Sequence, residues 1–260
     1  MKIAISSFCW ECFAKTDQSK EAYEKLKNEL NSDLDFEVEL DNENIHEFMC
    51  PKGYSIFTQL QEQKFQILFD LASMALNDGY TKEAVSSYSG ALERFIEYYL
   101  LVTSLRNSVS LDAFTKIWKQ MSNQSERQLG AYFILRLQEG KPTNWDENKS
   151  AFRNNCIHKG YIPSSEEAID YGQYVLTFIR SALKELNSSS KEFLDKATLI
   201  HLSKNGDKIS ENIRLSNGSI PTIITLRGID LENYNKLTLK EELQSINENS
   251  FYKHFYRKKI

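Results

Sequence analysis

Two groups of residues in this chain have the types and spacing to do chemistry. The first is the run Arg153-Asn-Asn-Cys-Ile-His158, which sets one of four histidines five places after an arginine and directly before Lys159-Gly160. Imidazole titrates near neutrality and can carry a proton either way, whereas guanidinium is a fixed cation whose planar fork matches phosphate oxygens. The pair suits proton transfer beside an anionic group. The plain alternative is a helix C-terminus where both side chains serve the last carbonyls and the helix dipole. The second group is Cys9-x2-Cys12, with Cys50 far downstream in Phe-Met-Cys-Pro-Lys-Gly-Tyr. A C-x2-C knuckle and a third cysteine on a Pro-Lys-Gly turn look like the remains of a zinc ribbon. Gly53 and Tyr54 stand where the fourth ligand belongs, and His46 is the nearest substitute. Buried free thiols are the alternative. No phosphate-binding Gly-rich loop, H-E-x-x-H or spaced carboxylate cluster accompanies them.

The composition sets bounds on both. In 260 residues, 41% hydrophobic and 26% charged with 15 Phe and 13 Tyr, there is material for a folded core, which argues against disorder. A net charge of −4 argues against coating nucleic acid through a general positive field, so any such site must be local. One local patch is the terminal Phe-Tyr-Lys-His-Phe-Tyr-Arg-Lys-Lys-Ile, either a phosphate-backbone contact or a solvated tail with docked aromatics. The opening residues lack a basic start followed by an apolar run, and no segment approaches the ~20 apolar residues of a membrane span. A cytoplasmic protein with no membrane partner is expected. Four cysteines in such a chain are thiols or ligands rather than a disulfide framework.

The elements that must position these groups divide into three parts. Residues 1–54 read as a small mixed module: a strand around Met1–Ser6, a charged helix around Ser19–Leu30, and an alternating strand in Asp-Phe-Glu-Val-Glu-Leu with Phe36, Val38 and Leu40 on one face. Residues 55–190 read as a helical bundle. One helix spaces Phe65, Leu68, Phe69, Ala72 and Leu76 on a face and stops at Gly79. A second runs through Ala84, Tyr88, Leu92, Phe95 and Tyr99, and shorter ones follow around Leu111–Met121 and Gln128–Gln138. Ser164 and Glu167 stand at capping-box spacing before another apolar-periodic helix. Residues 191–260 change period: two Asn-Gly turns between runs of Ile, Thr and Leu predict a short β-hairpin, and Leu-Thr-Leu-Lys-Glu-Glu-Leu predicts a last helix. The fold class is mainly α, a helical bundle with small appendages at both ends.

On a helix, Ala151, Phe152, Cys156 and the stem of Arg153 would face the bundle, while Asn154 and His158, four apart, stack on one face where a hydrogen bond could join them. Arg153 and His158 lie about 140° apart around the helix, so they converge only through the length of arginine and loosening at Gly160. Glu93, beside an apolar stripe, could face this helix or pair at the surface with Arg94 or Lys82.

This arginine and histidine, spaced late in an all-α bundle and followed by Lys-Gly-Tyr-Ile-Pro and a capped helix, resemble the R-x4–6-H signature of the HEPN superfamily. The resemblance covers roughly residues 59–187. It implies a HEPN-like bundle and an RNA-cleaving homodimer that needs no metal or other cofactor for catalysis. In such a homodimer each copy contributes Arg153 and His158 to a composite site. Asn154 would orient the ring or bind a phosphate oxygen, and Glu93, Lys149 and Lys159 would support the site. It further implies a toxin or phage-defence effector, held by an antitoxin or another defence-system partner. The rival within the same resemblance is a binding module that grips a nucleotide, RNA or partner protein without cleaving. Outside the resemblance, Cys9, Cys12 and Cys50, with His46, are the candidate ligands of a structural zinc, and a zinc-held scaffold that merely dimerises is a third possibility.

Overall fold

Apolar residues at intervals of three and four give α3 (Lys64–Asn77) one buried face, and it packs antiparallel against α4 (Thr81–Arg106), which is buried all round from Tyr98 to Thr103. Phe65, Phe69, Ala72 and Leu76 of the first, and Ala84, Tyr88, Leu92, Phe95 and Tyr99 of the second, are all buried. Gly79, at φ +82°, turns the chain between them. The computed structural model describes residues 2–33, 35–42, 44–204, 215–226 and 236–248. Within these the chain is mainly helical, with a small N-terminal strand module and a C-terminal strand plus helix. No described helix is long and apolar enough to cross a membrane.

The chain forms two units. The larger takes its described residues from Gln63–Thr198 and Thr222–Ser245. It contains α3, α4, α5 (Leu111–Met121), α6 (Ser125–Gln138), α7 (Glu147–His158) and most of α8 (Ser165–Ser203). The α8 start is capped as its sequence requires: Ser164 N donates to Glu167 and Glu167 N donates to Ser164 Oγ. Its Val175, Leu176, Ile179 and Leu183 are buried. Gly172 is required where it stands, because an added Cβ would lie 2.6 Å from Leu239 and 2.7 Å from the Tyr88 ring. Two buried arginines fasten this unit. Arg136, fully buried, meets Glu185 at 2.5 Å and reaches Tyr99 Oη and Pro142 O. Arg180 meets Glu242 at 2.5 Å on α9 (Leu239–Glu248) and also Leu237 O.

The smaller unit takes its described residues from Met1–Glu62, Leu199–Pro221 and Ile246–Ile260. β1 (Lys2–Ser6) pairs antiparallel with β2 (Asp35–Glu39), and the pair is joined through α1 (Trp10–Ala14) and α2 (Lys20–Asp33). A second sheet has the order β3 (Ile45–Met49), β4 (Ser55–Leu60), β5 (Leu215–Gly218), antiparallel between the first two and parallel between the last two.

Three expectations change. Ser55–Leu60 is a strand rather than the lead into the bundle, with Ile56, Thr58, Gln59 and Leu60 buried. The helix expected to stop near residue 190 bends at Ser190 (φ −150°) and runs helical to Ser203, burying Leu194 and Ala197. The Ile- and Thr-containing run before the first Asn-Gly is therefore helical rather than an arm of a hairpin. Strand β5 finds its partner in β4. The first Asn-Gly turn, the stretch 227–235 and the basic-aromatic tail at 251–260 lie outside the described residues.

Candidate functional site

Helix α7 opens with Asp146 accepting from Asn148 N at 2.8 Å and closes at Lys159, followed by Gly160 at φ +73°. Cys156 is buried, Phe152 is half-buried, and Ala151 is exposed, so the buried stripe is narrower than periodicity predicts. Short Ala151 sits beyond the edge where Phe152 reaches Tyr171, ring centroids 5.7 Å apart.

Arg153 is half-buried, and its contacts define the site. Nε donates to Ser89 Oγ at 2.8 Å, Nη2 meets Glu93 Oε1 at 2.5 Å, and Nη1 donates to Asn154 Oδ1 at 3.0 Å. Ser89 and Glu93 are one turn apart on α4, which aligns them along the guanidinium edge. Guanidinium has five N–H donors, so two remain for a ligand. Glu93 therefore faces the motif helix, while neighbouring Arg94 pairs with Glu97 at 2.6 Å. Asn154 turns to Arg153, and no hydrogen bond joins it to His158. His158 is exposed on the last turn of α7, as is Lys159 beyond it. Lys149 is ion-paired with Asp170.

Arg153, Glu93, Asn154 and Lys149 line a cavity of about 220 Å³; His158 stands outside it. Trp145, Gln128, Tyr171 and Tyr174 supply other walls. Three carboxylates, Glu93, Glu126 and Glu147, outnumber the two cations there, so the lining of this cavity is not strongly positive. Burial pushes Tyr171 up to about 12 against the opposing effect of its Ser89 hydrogen bond, and burial likewise pushes Tyr174 up to about 12. Neither phenol gives up a proton near neutrality. Burial also raises the Cys156 thiol, which makes it a packing residue rather than a nucleophile. Sequence reasoning missed Ser89, Trp145 and Tyr171; Ser89, one turn before Glu93 on a core-facing helix, was the available signal.

In the smaller unit, Cys9, Cys12 and Cys50 converge so that their three Sγ atoms lie within 4.8 Å of one another, and this group could hold a metal ion. Cys9 caps α1, accepting from Cys12 N at 3.4 Å; Cys50 heads the turn into β4, accepting from Tyr54 N at 3.4 Å. The Cys12 and Cys50 sulfurs are 3.8 Å apart. Burial, then the neighbouring thiols, pushes Cys12 up to about 12. His46 does not join them. Strand alternation puts residues 46, 48 and 50 on the same face, so His46 is displaced by about 13 Å along the strand. Its buried ring stacks on Phe48 at 6.4 Å instead. Comparison of the chain with protein-family models, curated proteins and solved structures finds no match.

Proposed function

We propose that the chain is a metal-independent endoribonuclease that works as a homodimer, as its resemblance to HEPN ribonucleases implies. The observation that carries the reading is the α7 arrangement: a guanidinium held by Ser89 and Glu93 with two donors left over, and an exposed imidazole five residues on in the same helix. The exposed end of α7, with Asn154, His158 and Lys159, is the surface on which a second copy would dock. Two docked copies give two histidines and two arginines. One His158 takes the proton from a ribose 2′-hydroxyl, the 2′-oxygen attacks phosphorus, and the 5′-oxygen leaves with a proton from His158 of the second copy. The guanidinium groups stabilise the phosphorane as negative charge grows on its oxygens. Glu93 acts as a positioning residue for Arg153, Lys159 adds positive charge at the rim, and Lys149, held by Asp170, supports the cavity wall.

A second reading has its own support. Glu93 largely offsets the charge of Arg153, and no hydrogen bond from another described residue orients the His158 ring. Both facts suit a module that binds a nucleotide, RNA or partner protein without cleaving. In either case the setting implied by the resemblance is a cytoplasmic toxin or phage-defence effector restrained by a partner. In the smaller unit, a structural zinc on Cys9, Cys12 and Cys50 would hold the N-terminal segment to the β3–β4 hairpin. Incubating the protein with total tRNA in excess EDTA separates the two readings: cleavage that His158→Ala abolishes supports the enzyme, and tRNA binding without cleavage supports the module.

A further inference from the structure

We infer that Cys9, Cys12 and Cys50 form a three-thiolate site for zinc, or for a soft ion such as Cu(I), whose remaining coordination position is open to a small exogenous ligand. This rests on the zinc reading and carries it further. The sulfurs stand near the spacing that a metal site requires. Zn–S bonds of about 2.3 Å at tetrahedral angles set sulfurs about 3.8 Å apart, whereas a disulfide needs about 2.05 Å. The Cys12 and Cys50 sulfurs are 3.8 Å apart, and Cys9 completes a triangle within 4.8 Å. Backbone N–H groups of Cys12 and Tyr54 point at two of the sulfurs, the outer hydrogen bonds that orient thiolate ligands in such sites. The ligands come from segments 38 residues apart, Cys12 on α1 and Cys50 after β3, so a metal would tie the two sheets of this unit together.

Among the described residues no further His, Cys, Asp or Glu places a ligand atom with the three sulfurs. Tyr54, in the turn after Cys50, accepts a hydrogen bond from Lys15 Nζ on its hydroxyl, with Lys15 also lying 4.4 Å over the ring. The three cysteines are buried, while their chain neighbours Glu11, Lys15, Pro51, Lys52 and Gly53 are exposed, which sets the group close beneath the surface of this unit. Structural zinc sites are closed by four protein ligands; a site with three keeps one place for water or another ligand. Thiolate sulfur excludes magnesium and calcium and selects zinc and softer ions.

The test uses the full chain, purified without chelator and loaded with Co²⁺ as a spectroscopic substitute for zinc. The inference expects one metal per chain and sulfur-to-cobalt charge-transfer absorption. It also expects ligand-field bands that move when imidazole is added. Cys50→Ser should weaken Zn²⁺ binding by more than the roughly 10–100-fold that loss of an outer hydrogen bond costs. Cys156→Ser, in the other unit, should leave binding unchanged. If Cys50→Ser does not fold, the stoichiometry and imidazole response of the unaltered protein still decide. Absence of stoichiometric metal would overturn the zinc reading and the inference together. A bound cobalt whose bands ignore imidazole would overturn the open position alone.

Discussion

Replacing Arg153 by Ala separates a reacting role from a packing role, because the structure bounds what packing is worth. The Arg153–Glu93 pair is partly solvated, with side chains 19% and 29% exposed, so water screens it and its loss costs about 1 kcal/mol. The lost hydrogen bond to Ser89 adds about 1 kcal/mol. A total of about 2 kcal/mol lowers the melting temperature by roughly 4–8 °C in a chain of this size. A domain with about 5–15 kcal/mol of stability stays folded after that loss. If Arg153 stabilises the phosphorane, RNA cleavage by Arg153→Ala should fall about 10²–10³-fold, the scale set by removal of one transition-state donor. Arg153→Lys should fall almost as far, since one ammonium cannot serve Ser89, Glu93, Asn154 and a phosphate oxygen together. The assay is initial-rate cleavage of end-labelled RNA alongside thermal melting of the same preparations. Activity that merely follows the folded fraction in Arg153→Ala, or full activity in Arg153→Lys, would refute the reasoning.

Gly172→Ala forces a methyl group against Leu239 and the Tyr88 ring and should destabilise the larger unit by about 1–3 kcal/mol in urea unfolding; an unchanged midpoint would mean that these neighbours yield freely. Burial alone would raise the Glu139 carboxyl, but hydrogen bonds from Arg106 and Lys141 outweigh it and hold the group below the usual range. A depressed folded value stabilises above the ordinary glutamate pKa of about 4.3 and loses that contribution as pH falls through the folded value. The stability gap between the unaltered protein and Glu139→Gln should therefore narrow on acidification from pH 7 to about pH 3. A gap constant over that range would contradict the assignment.

The legible parts of this fold are those where a local pattern decides the outcome. Phe65, Phe69 and Leu76 on one face, and Ser164 with Glu167 at a capping interval, specify their helices without help from distant chain. Pairing of β4 with β5 could not be read that way, because its partners are separated by more than 150 residues and parallel pairing leaves no turn signature. The run through Thr198 and Leu199 looked strand-like by composition, yet helical packing of Leu194 and Ala197 overrode a weak propensity. At the sites, spacing was enough to bring Cys9, Cys12 and Cys50 into one candidate group, while His46 was excluded because Ile45–Met49 is an extended strand that carries it away from Cys50. Glu93 could be suspected from its position, but its partner could not be chosen among Arg94, Lys82 and Arg153 until α4 and α7 were seen together.

The central claim is that RNA is cut through its own 2′-hydroxyl by Arg153 and His158 without a metal. The measurement that tests it most directly is the chemistry of the product ends after digestion in excess EDTA, compared with His158→Ala. The unaltered protein should leave 2′,3′-cyclic phosphate and 5′-hydroxyl ends, and His158→Ala should slow their formation by about 10²–10⁴-fold. Cleavage that leaves 3′-hydroxyl ends, or that persists undiminished in His158→Ala, would contradict it.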